Sequence, residues 1–210
     1  LGGGSNTLYG NEGVDTFHGG AGADIYIFEP NWAQDTVTDD NGNDTFDFTA
    51  ISQSLKFIIC NETGGACHTT NPNTVIVRLG TTDQTVTHLN NTVENLIGGT
   101  ANDTFKFTNG ATLVGSTGRI DGYSGTADLL DYSSYTTGVT VTLEGAGTGL
   151  ANVTNVENVT GGTGNDNITG NASSNVIFGG TGGNDTLTGL GGYDYYIFIE
   201  GWGADTVNES

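Results

Sequence analysis

A phrase of nine residues recurs along the chain and limits what the chain can fold into. Residues 161 to 197 read GGTGNDNIT, GNASSNVIF, GGTGGNDTLT and GLGGYDYYI, four consecutive copies with one extra glycine at Gly182 or Gly183. Glycines in each copy precede an Asp or Asn at the sixth place, and an apolar residue follows at the eighth. A regular apolar position in a glycine-rich phrase is typical of stacked repeats, where each copy adds one side chain to a shared core.

A second block of the same phrase opens the chain. Residues 1 to 27 read LGGGSNTLY, GNEGVDTFH and GGAGADIYI. The two blocks are themselves related by an offset of 170 residues, which superposes Asp15 on Asp185, Asp24 on Asp194, Tyr26 on Tyr196, Phe28 on Phe198, Trp32 on Trp202 and Asp35 on Asp205. The chain therefore contains one long repeat and the first part of another.

The segments between the blocks are diverged forms of one sub-repeat. Residues 43 to 59 align with 127 to 143, and residues 93 to 105 align with 156 to 168, which places Asp103 on Asp166. Apolar and polar residues alternate in them, as they do in a half-buried strand.

The repeats predict four segments along the chain. Residues 1–27 and 161–210 are regular blocks, the second of which starts the next long repeat, while residues 28–107 and 108–160 are irregular sub-repeats. The first irregular sub-repeat carries an insertion near residues 60 to 82, which we expect to project from the stack.

The charge of the chain excludes several kinds of partner. Its 210 residues include 24 acidic and 4 basic side chains, for a formal net charge of −20. Nucleic acids and anionic membranes are recognised by basic surface, so neither is an expected partner. No apolar run approaches the roughly 18 residues of a transmembrane helix, so we expect no membrane span. Repulsion among the carboxylates opposes compaction, so bound cations should matter.

The two regular blocks resemble the nonapeptide GGxGxDxUx of RTX, or hemolysin-type, calcium-binding proteins. The resemblance implies an all-β fold, a parallel β-roll or β-solenoid, with irregular longer coils in the middle of the chain. Each copy would form a glycine turn and a three-residue strand, and its sixth-place carboxylate would help to build an oxygen cage for calcium. Because successive turns lie on opposite sides, the ligands of one ion should come from copies two apart, such as Asn6 with Asp24.

The same rule pairs Asp166 with Asp185 and Asn175 with Asp194. The predicted metal ligands of the regular blocks are therefore Asn6, Asp15, Asp24, Asp166, Asn175, Asp185 and Asp194. The prediction extends to Asp44, Asp103 and Asp128, although the surrounding phrase departs from the repeat, as with Ala101 at a glycine place. Asp15 has Ala33 where a partner is expected, so its site should be open or completed by an irregular loop. The alternative is that these Asp side chains only cap turns by hydrogen bonding to the backbone.

Other residue types indicate structure more than chemistry. Cys60 and Cys67 predict a disulfide-closed hairpin if the protein is secreted, and a zinc site with His68 and His88 is the alternative. Trp32 and Trp202 could either cover the apolar core or present an exposed ring to a sugar or partner. The sequence has no GxSxG, HExxH or P-loop motif, so we expect no enzyme activity.

The resemblance implies calcium ions as cofactor and a bacterial protein that is extracellular or at the cell surface, exported by a type I-like route. The main interpretation is a calcium-stabilised structural segment of an adhesin, surface-layer or fibre-forming protein, with calcium driving folding and copies of the chain stacking end to end or side by side. One alternative is a secretion and folding module of an enzyme whose catalytic domain lies elsewhere. Another is a carbohydrate- or ice-binding surface, for which we expect regular Thr rows or an aromatic platform; Thr is plentiful in the sequence but not in a sustained array.

Overall fold

The fold consists of short strands joined by turns. A computed structural model describes residues 2–61, 67, 74–80, 85–89, 93–113 and 118–209, and within these ranges all regular structure is β. The strands are β1 (Thr7–Gly10), β2 (Thr16–His18), β3 (Ile25–Phe28), β4 (Gln34–Thr38), β5 (Asp44–Asp47), β6 (Leu55–Cys60), β7 (Thr74–Leu79), β8 (Thr85–Leu89), β9 (Val93–Ile97), β10 (Thr104–Phe107), β11 (Arg119–Asp121), β12 (Leu129–Asp131), β13 (Thr140–Thr142), β14 (Asn152–Thr154), β15 (Asn158–Thr160), β16 (Asn167–Thr169), β17 (Val176–Phe178), β18 (Thr186–Thr188), β19 (Tyr195–Ile197) and β20 (Thr206–Asn208).

Consecutive strands lie in different sheets, except for β6, β7 and β8, and this alternation winds the chain into a solenoid. The six-stranded sheet has the order β1-β3-β5-β9-β11-β14, the ten-stranded sheet β19-β17-β15-β12-β10-β6-β7-β8-β4-β2, and the four-stranded sheet β13-β16-β18-β20. All pairs are parallel except those that β7 makes with β6 and β8. The predicted all-β, parallel β-roll architecture is confirmed.

The nonapeptide phrase explains the three-residue strands of the second half. In β16, β17 and β18 only the central residue is buried, and these residues are Ile168, Ile177 and Leu187, the eighth places of their copies. Parallel pairing keeps them in register, with Ile168 opposite Leu187. Each copy therefore adds one rung to a continuous apolar core.

Part of the insertion in the first sub-repeat lies in a sheet. Strands β7 and β8 join the ten-stranded sheet, where β7 lies antiparallel between β6 and β8, and β8 continues in parallel pairing with β4. Most of the turn itself, residues 62–66 and 68–73, lies outside the described residues, so its projection from the stack stays a prediction. The described part of the insertion alternates along β7, where Val75 and Val77 are buried in the core.

The predicted disulfide is present, but it does not close a hairpin from strand to strand. Cys60 at the end of β6 pairs with Thr74 in the sheet, while its disulfide partner Cys67 lies in the connection between β6 and β7. Both sulfurs are used in this bond, so neither is free for the alternative zinc site. His68 lies outside the described residues, and so does the side chain of His88.

The core changes from aromatic to aliphatic along the solenoid. Phe28 stacks on Phe48 with ring centroids 4.6 Å apart, and Phe57 stacks on Phe105 at 4.5 Å. The last coils instead bury Ile168 and Leu187, and all of these residues belong to one cluster of buried side chains. The core therefore continues through the four segments predicted from the sequence, and their boundaries stay a prediction.

The four-stranded sheet carries two outward rows of Thr and Asn. Pairing of β13, β16, β18 and β20 places Thr140, Asn167, Thr186 and Thr206 in one row and Thr142, Thr169, Thr188 and Asn208 in the other. Every one of these side chains is exposed or half-buried. The sequence did not predict such rows, because the contributing strands are separated by unequal lengths of chain.

Within the described ranges, no helix is long and apolar enough to cross a membrane.

Candidate calcium-binding rows

Acidic and amide side chains lie in rows at the starts of the strands. We call these the carboxylate rows: the first, on the six-stranded sheet, is Asn6, Asp24, Asp44 and Glu94; the second, on the ten-stranded sheet, is Asp103, Asp128, Glu157, Asn175 and Asp194; the third, on the four-stranded sheet, is Asp166, Asp185 and Asp205. Asp15 and Asp35 form a separate pair at the starts of β2 and β4. The rows run along the solenoid because the strands are stacked in parallel.

One hydrogen bond recurs in all three rows. A side-chain oxygen accepts the backbone N–H of the residue at the same place in the preceding coil. Asn6 donates to Asp24 Oδ1 at 2.6 Å, Asp166 to Asp185 Oδ1 at 2.8 Å, and Asn175 to Asp194 Oδ1 at 2.9 Å. The structure thus brings together the three pairs that the sequence predicted.

Glycines leave the space into which these side chains point. A Cβ at Gly179 would meet the Asp185 carboxylate, and a Cβ at Gly161 would meet that of Asp166. The carbonyl oxygen of Gly179 also lies close to the place of the Gly161 Cβ. Glycine at the first place of the phrase is therefore needed for the close approach of a carboxylate and a backbone carbonyl.

Many of the carboxylates use only one oxygen in protein hydrogen bonds. The second oxygen, Oδ2, is buried and has no hydrogen-bond partner among the described residues in Asp24, Asp35, Asp44, Asp128, Asp185 and Asp194. A buried oxygen that lacks a donor costs free energy, and more so when it carries charge. A bound cation would give these oxygens the partner that they lack.

The pKa values show the same cost. Burial raises the pKa of Asp44 and Asp128 to about 7 and of Asp103 and Asp185 to about 6, from an ordinary value of 3.8. Repulsion by neighbouring carboxylates adds to burial at Asp44, Asp128 and Asp185. A divalent cation would remove this cost by balancing the charge.

Three predicted ligands cap their own turns: Asn175 Oδ1 accepts the N–H of Asn171 at 2.9 Å, and Asp166 and Asp103 accept such bonds as well. Asp166 accepts the N–H of Val139 at 2.8 Å with Oδ1 and that of Gly162 at 2.7 Å with Oδ2. Asp103 accepts the N–H of Leu55 with Oδ1 and that of Gly99 with Oδ2. Both oxygens of each carboxylate have donors, so the turn-capping alternative describes these two residues as well as calcium does.

The structure adds acids that sequence reasoning missed. Asp35 Oδ1 accepts the N–H of Asp15 at 2.9 Å, beside the position where the sequence predicted a site that is either open or completed by an irregular loop. Glu94 accepts the N–H of Asp44 at 2.8 Å, and it is the extra residue of a bulge between β5 and β9. Glu157 accepts the N–H of Asp128, and Asp205 that of Asp185. In the sequence, each of these acids precedes residues that alternate between apolar and polar, but the glycine phrase does not come before it.

Comparison with protein families identifies the phrase. The family described as RTX calcium-binding nonapeptide repeat matches residues 2–27 and 156–183, with four copies. The chain carries RTX calcium-binding nonapeptide repeats. RTX repeats bind calcium ions, and this chain is accordingly a calcium-binding structural repeat. No curated protein sequence matches the chain.

The residues of the matched repeats are suitable ligands for calcium. The available donors are carboxylate, amide and carbonyl oxygens, the hard ligands that calcium takes in sets of about 6 to 8. Oδ2 of Asp24, and Oδ2 of Asp185 just beyond the matched residues, are buried and have no hydrogen-bond donor among the described residues, so both could act as ligands. The first and third rows extend this arrangement to Glu94 and Asp205, outside the matched residues, and the second row extends it to Glu157, at the start of the second matched range.

Proposed function

We propose that the chain is a calcium-stabilised structural segment of an extracellular bacterial protein, such as an adhesin, a surface-layer protein or a fibre subunit, and that calcium drives its folding after secretion. The observation that carries the proposal is the set of buried Oδ2 atoms without a donor. Proteins with RTX repeats are typically secreted by bacteria, and folding outside the cell lets a high calcium concentration supply the missing charge. Binding free energy then becomes folding free energy.

The charge of the whole chain supports calcium-dependent folding. With a formal net charge of −20, the calcium-free chain is expanded by repulsion, and several of its carboxylates must be buried to complete the fold. Export of an unfolded chain by a type I-like route is compatible with this order of events. The same properties suit a secretion and folding module attached to an enzyme, which remains the alternative arrangement of the same calcium-dependent segment.

Circular dichroism with a calcium titration tests the proposal. We expect little β structure in calcium-free buffer near neutral pH, a cooperative gain of β structure as calcium is added, and loss of that structure after a chelator. Magnesium at the same ionic strength is the control, because it dehydrates reluctantly and prefers small octahedral sites. If β structure and melting temperature are indifferent to calcium, the proposal is wrong.

Stacking of the chain with copies of itself is the assembly that we propose. Tyr195, Phe198 and Trp202, in and after β19, are exposed and present apolar surface. The counterparts of the last two, Phe28 and Trp32, are buried by the coil that follows them. Sedimentation velocity in calcium tests the assembly: replacing Phe198 and Trp202 with Ser should reduce association without changing the calcium-induced fold, and unchanged association would contradict it.

The Thr and Asn rows of the four-stranded sheet favour one second candidate, a surface that binds a regular array such as ice or a carbohydrate. Parallel stacking spaces the hydroxyls of Thr142, Thr169 and Thr188 by about 4.8 Å along the solenoid. An assay of ice recrystallisation, together with a carbohydrate-binding screen, tests this candidate. Thr169→Tyr and Thr188→Tyr should abolish any such activity, while Thr45→Tyr on the six-stranded sheet serves as the control.

A further inference from the structure

A cluster of three carboxylates lies between the first coils of the solenoid. Asp24, Asp39 and Asp44 each place an oxygen within 4.8 Å of the others, and all three side chains are buried. Asp24 and Asp44 belong to the first carboxylate row. Asp39 does not, because it follows β4 and reaches the cluster from the turn that leads into β5. The nonapeptide phrase has no place for such a residue.

Unpaired oxygens point into this cluster. Asp24 Oδ1 accepts N–H groups from Asn6, and Asp44 Oδ1 accepts the N–H of Asp24 at 2.7 Å. Oδ2 of both carboxylates is buried and has no hydrogen-bond donor among the described residues. Asp24 Oδ2, Asp39 Oδ2 and the Tyr26 hydroxyl converge on the place that a Cβ of Gly19 would occupy.

Tyr26 fixes the position of the third carboxylate. Its hydroxyl donates a hydrogen bond to Asp39 Oδ2, and its ring is buried in the aromatic core against Phe46, with centroids 5.7 Å apart. The phenol cannot turn away without leaving that core. Asp39 is thus held at the cluster by a rigid donor, although its segment lies outside the repeat.

We propose that Asp24, Asp39 and Asp44 form a calcium site of a second kind, in which a third carboxylate from outside the repeat joins two members of a carboxylate row. The proposal deepens the calcium-binding function proposed above and rests on it. Three carboxylates offer up to six oxygens, which suits a hard divalent cation. Greater ligand charge should also make this one of the tightest sites of the chain.

The same constellation recurs 170 residues later. Asp194 and Tyr196 stand at the places of Asp24 and Tyr26, and a Cβ at Gly189 would meet both the Asp194 carboxylate and the Tyr196 hydroxyl. Glu209 stands at the place of Asp39. Burial and then the neighbouring Glu209 carboxylate raise the pKa of Tyr196 to about 12, although the Tyr196 hydroxyl has no well-directed hydrogen bond. An acid in both long repeats beside the same Tyr supports a role for it.

Calorimetric titration of calcium into the full chain near neutral pH tests the site with Asp39→Asn. We expect this variant to lose one bound calcium ion, or to bind one ion about 10-fold or more weakly, since even outer partners of metal ligands have effects of that size. Asp40→Asn is the matched control: it makes the same change one residue away, at an exposed carboxylate 3.4 Å from His18. It should bind as many ions as the parent chain, with the same affinities.

The outcomes separate this inference from the proposed function. Asp185→Asn removes a carboxylate of the third row and should weaken a different site. If it does so while Asp39→Asn binds calcium like Asp40→Asn, the three-carboxylate site is wrong and the general function stands. If the parent chain binds no calcium, both fail. Should Asp39→Asn not fold even in saturating calcium, Asp39→Glu, which keeps the charge and displaces the carboxylate, must weaken the same single site.

Discussion

Two stretches of the chain, 170 residues apart, carry the same aromatic pair in opposite environments. Phe28 and Trp32 are buried, and Trp32 is only 1% exposed. Phe198 and Trp202 occupy the equivalent places, yet Trp202 is 40% exposed. The rings of each pair still contact each other edge to face, with centroids 6.4 Å apart in the first pair and 5.0 Å in the second. The contact within the pair therefore does not depend on its burial.

The following coil makes the difference. Strand β5 and the residue after it lie against the first pair, where Phe48 stacks on Phe28 and contacts Trp32 at 5.5 Å between centroids. Within the described ranges no residue takes the place of Phe48 beside Phe198. A repeat in the sequence thus determines local geometry, while burial, and with it most of the stabilisation, comes from the neighbouring coil.

The carboxylates follow the same division. The backbone hydrogen bond to the preceding coil is present at both Asp24 and Asp194. Asp24 is fully buried, whereas the Asp194 side chain is half-buried and Glu209 is exposed. The acids of the covered copy therefore need a counter-charge. In the uncovered copy, water can solvate part of the charge on the acids.

The largest expected effect is on the calcium-free chain as pH changes. Folded-state pKa values near 6 to 7 at Asp44, Asp128, Asp103 and Asp185 lie above the ordinary 3.8, so the folded chain holds these protons more tightly than the unfolded chain. Their stabilisation is complete below about pH 4 and is lost as pH rises through 6 to 7. We expect the calcium-free chain to fold in mild acid and to unfold near pH 8.

Melting curves followed by circular dichroism between pH 4 and 8, with and without calcium, check this prediction. Calcium should raise the melting temperature strongly near pH 8 and weakly near pH 5, because protons and calcium compete for the same oxygens. A calcium-free chain that becomes more stable as pH rises would show that buried carboxylates do not limit its folding.

The sequence predicted the core positions and carboxylate pairs that depend on regular spacing. The nonapeptide period placed Ile168 and Leu187 in one core and paired Asp166 with Asp185, because parallel strands keep equal places in register. Asp39, Asp35 and Glu94 were not predicted as ligands. Each reaches its site through an irregular turn or a bulge, whose course depends on packing against coils distant in sequence.

The insertion of β7 and β8 into the sheet was likewise not predictable from the repeats. Antiparallel β7 enters a parallel sheet because β6, β7 and β8 pair with one another over long registers, Leu55 with Leu79 through to Cys60 with Thr74. No repeat in the sequence records that choice. The Thr rows on the four-stranded sheet were missed for a related reason, since neighbours such as Thr142 and Thr169 are distant in sequence.

The next effect in size is a difference between two tryptophan substitutions. Trp32→Ala removes a fully buried ring that packs on Phe28 and Phe48, so we expect it to lower the free energy of unfolding by about 3 to 5 kcal/mol. Trp202→Ala removes a ring with one covered face and should cost about 1 kcal/mol. Denaturant unfolding in saturating calcium measures both, and equal losses would mean that the second pair is covered in solution.

The smallest expected difference is between Gly19→Ala and Gly189→Ala. A Cβ at Gly19 would meet the Tyr26 hydroxyl and the Asp24 and Asp39 carboxylates, all held in a buried cluster, so we expect a loss of about 1 to 3 kcal/mol and weaker calcium binding. A Cβ at Gly189 would meet Asp194 and Tyr196, which are only half-buried as residues and therefore less tightly packed than the Gly19 cluster. The same methyl group should there cost less than about 1 kcal/mol. Unfolding in saturating calcium, paired with calcium titration, compares the two variants. If Gly189→Ala proves the more damaging, rigidity of the cluster around Gly19 is not what sets the cost, and the covering coil contributes less to these sites than its contacts indicate.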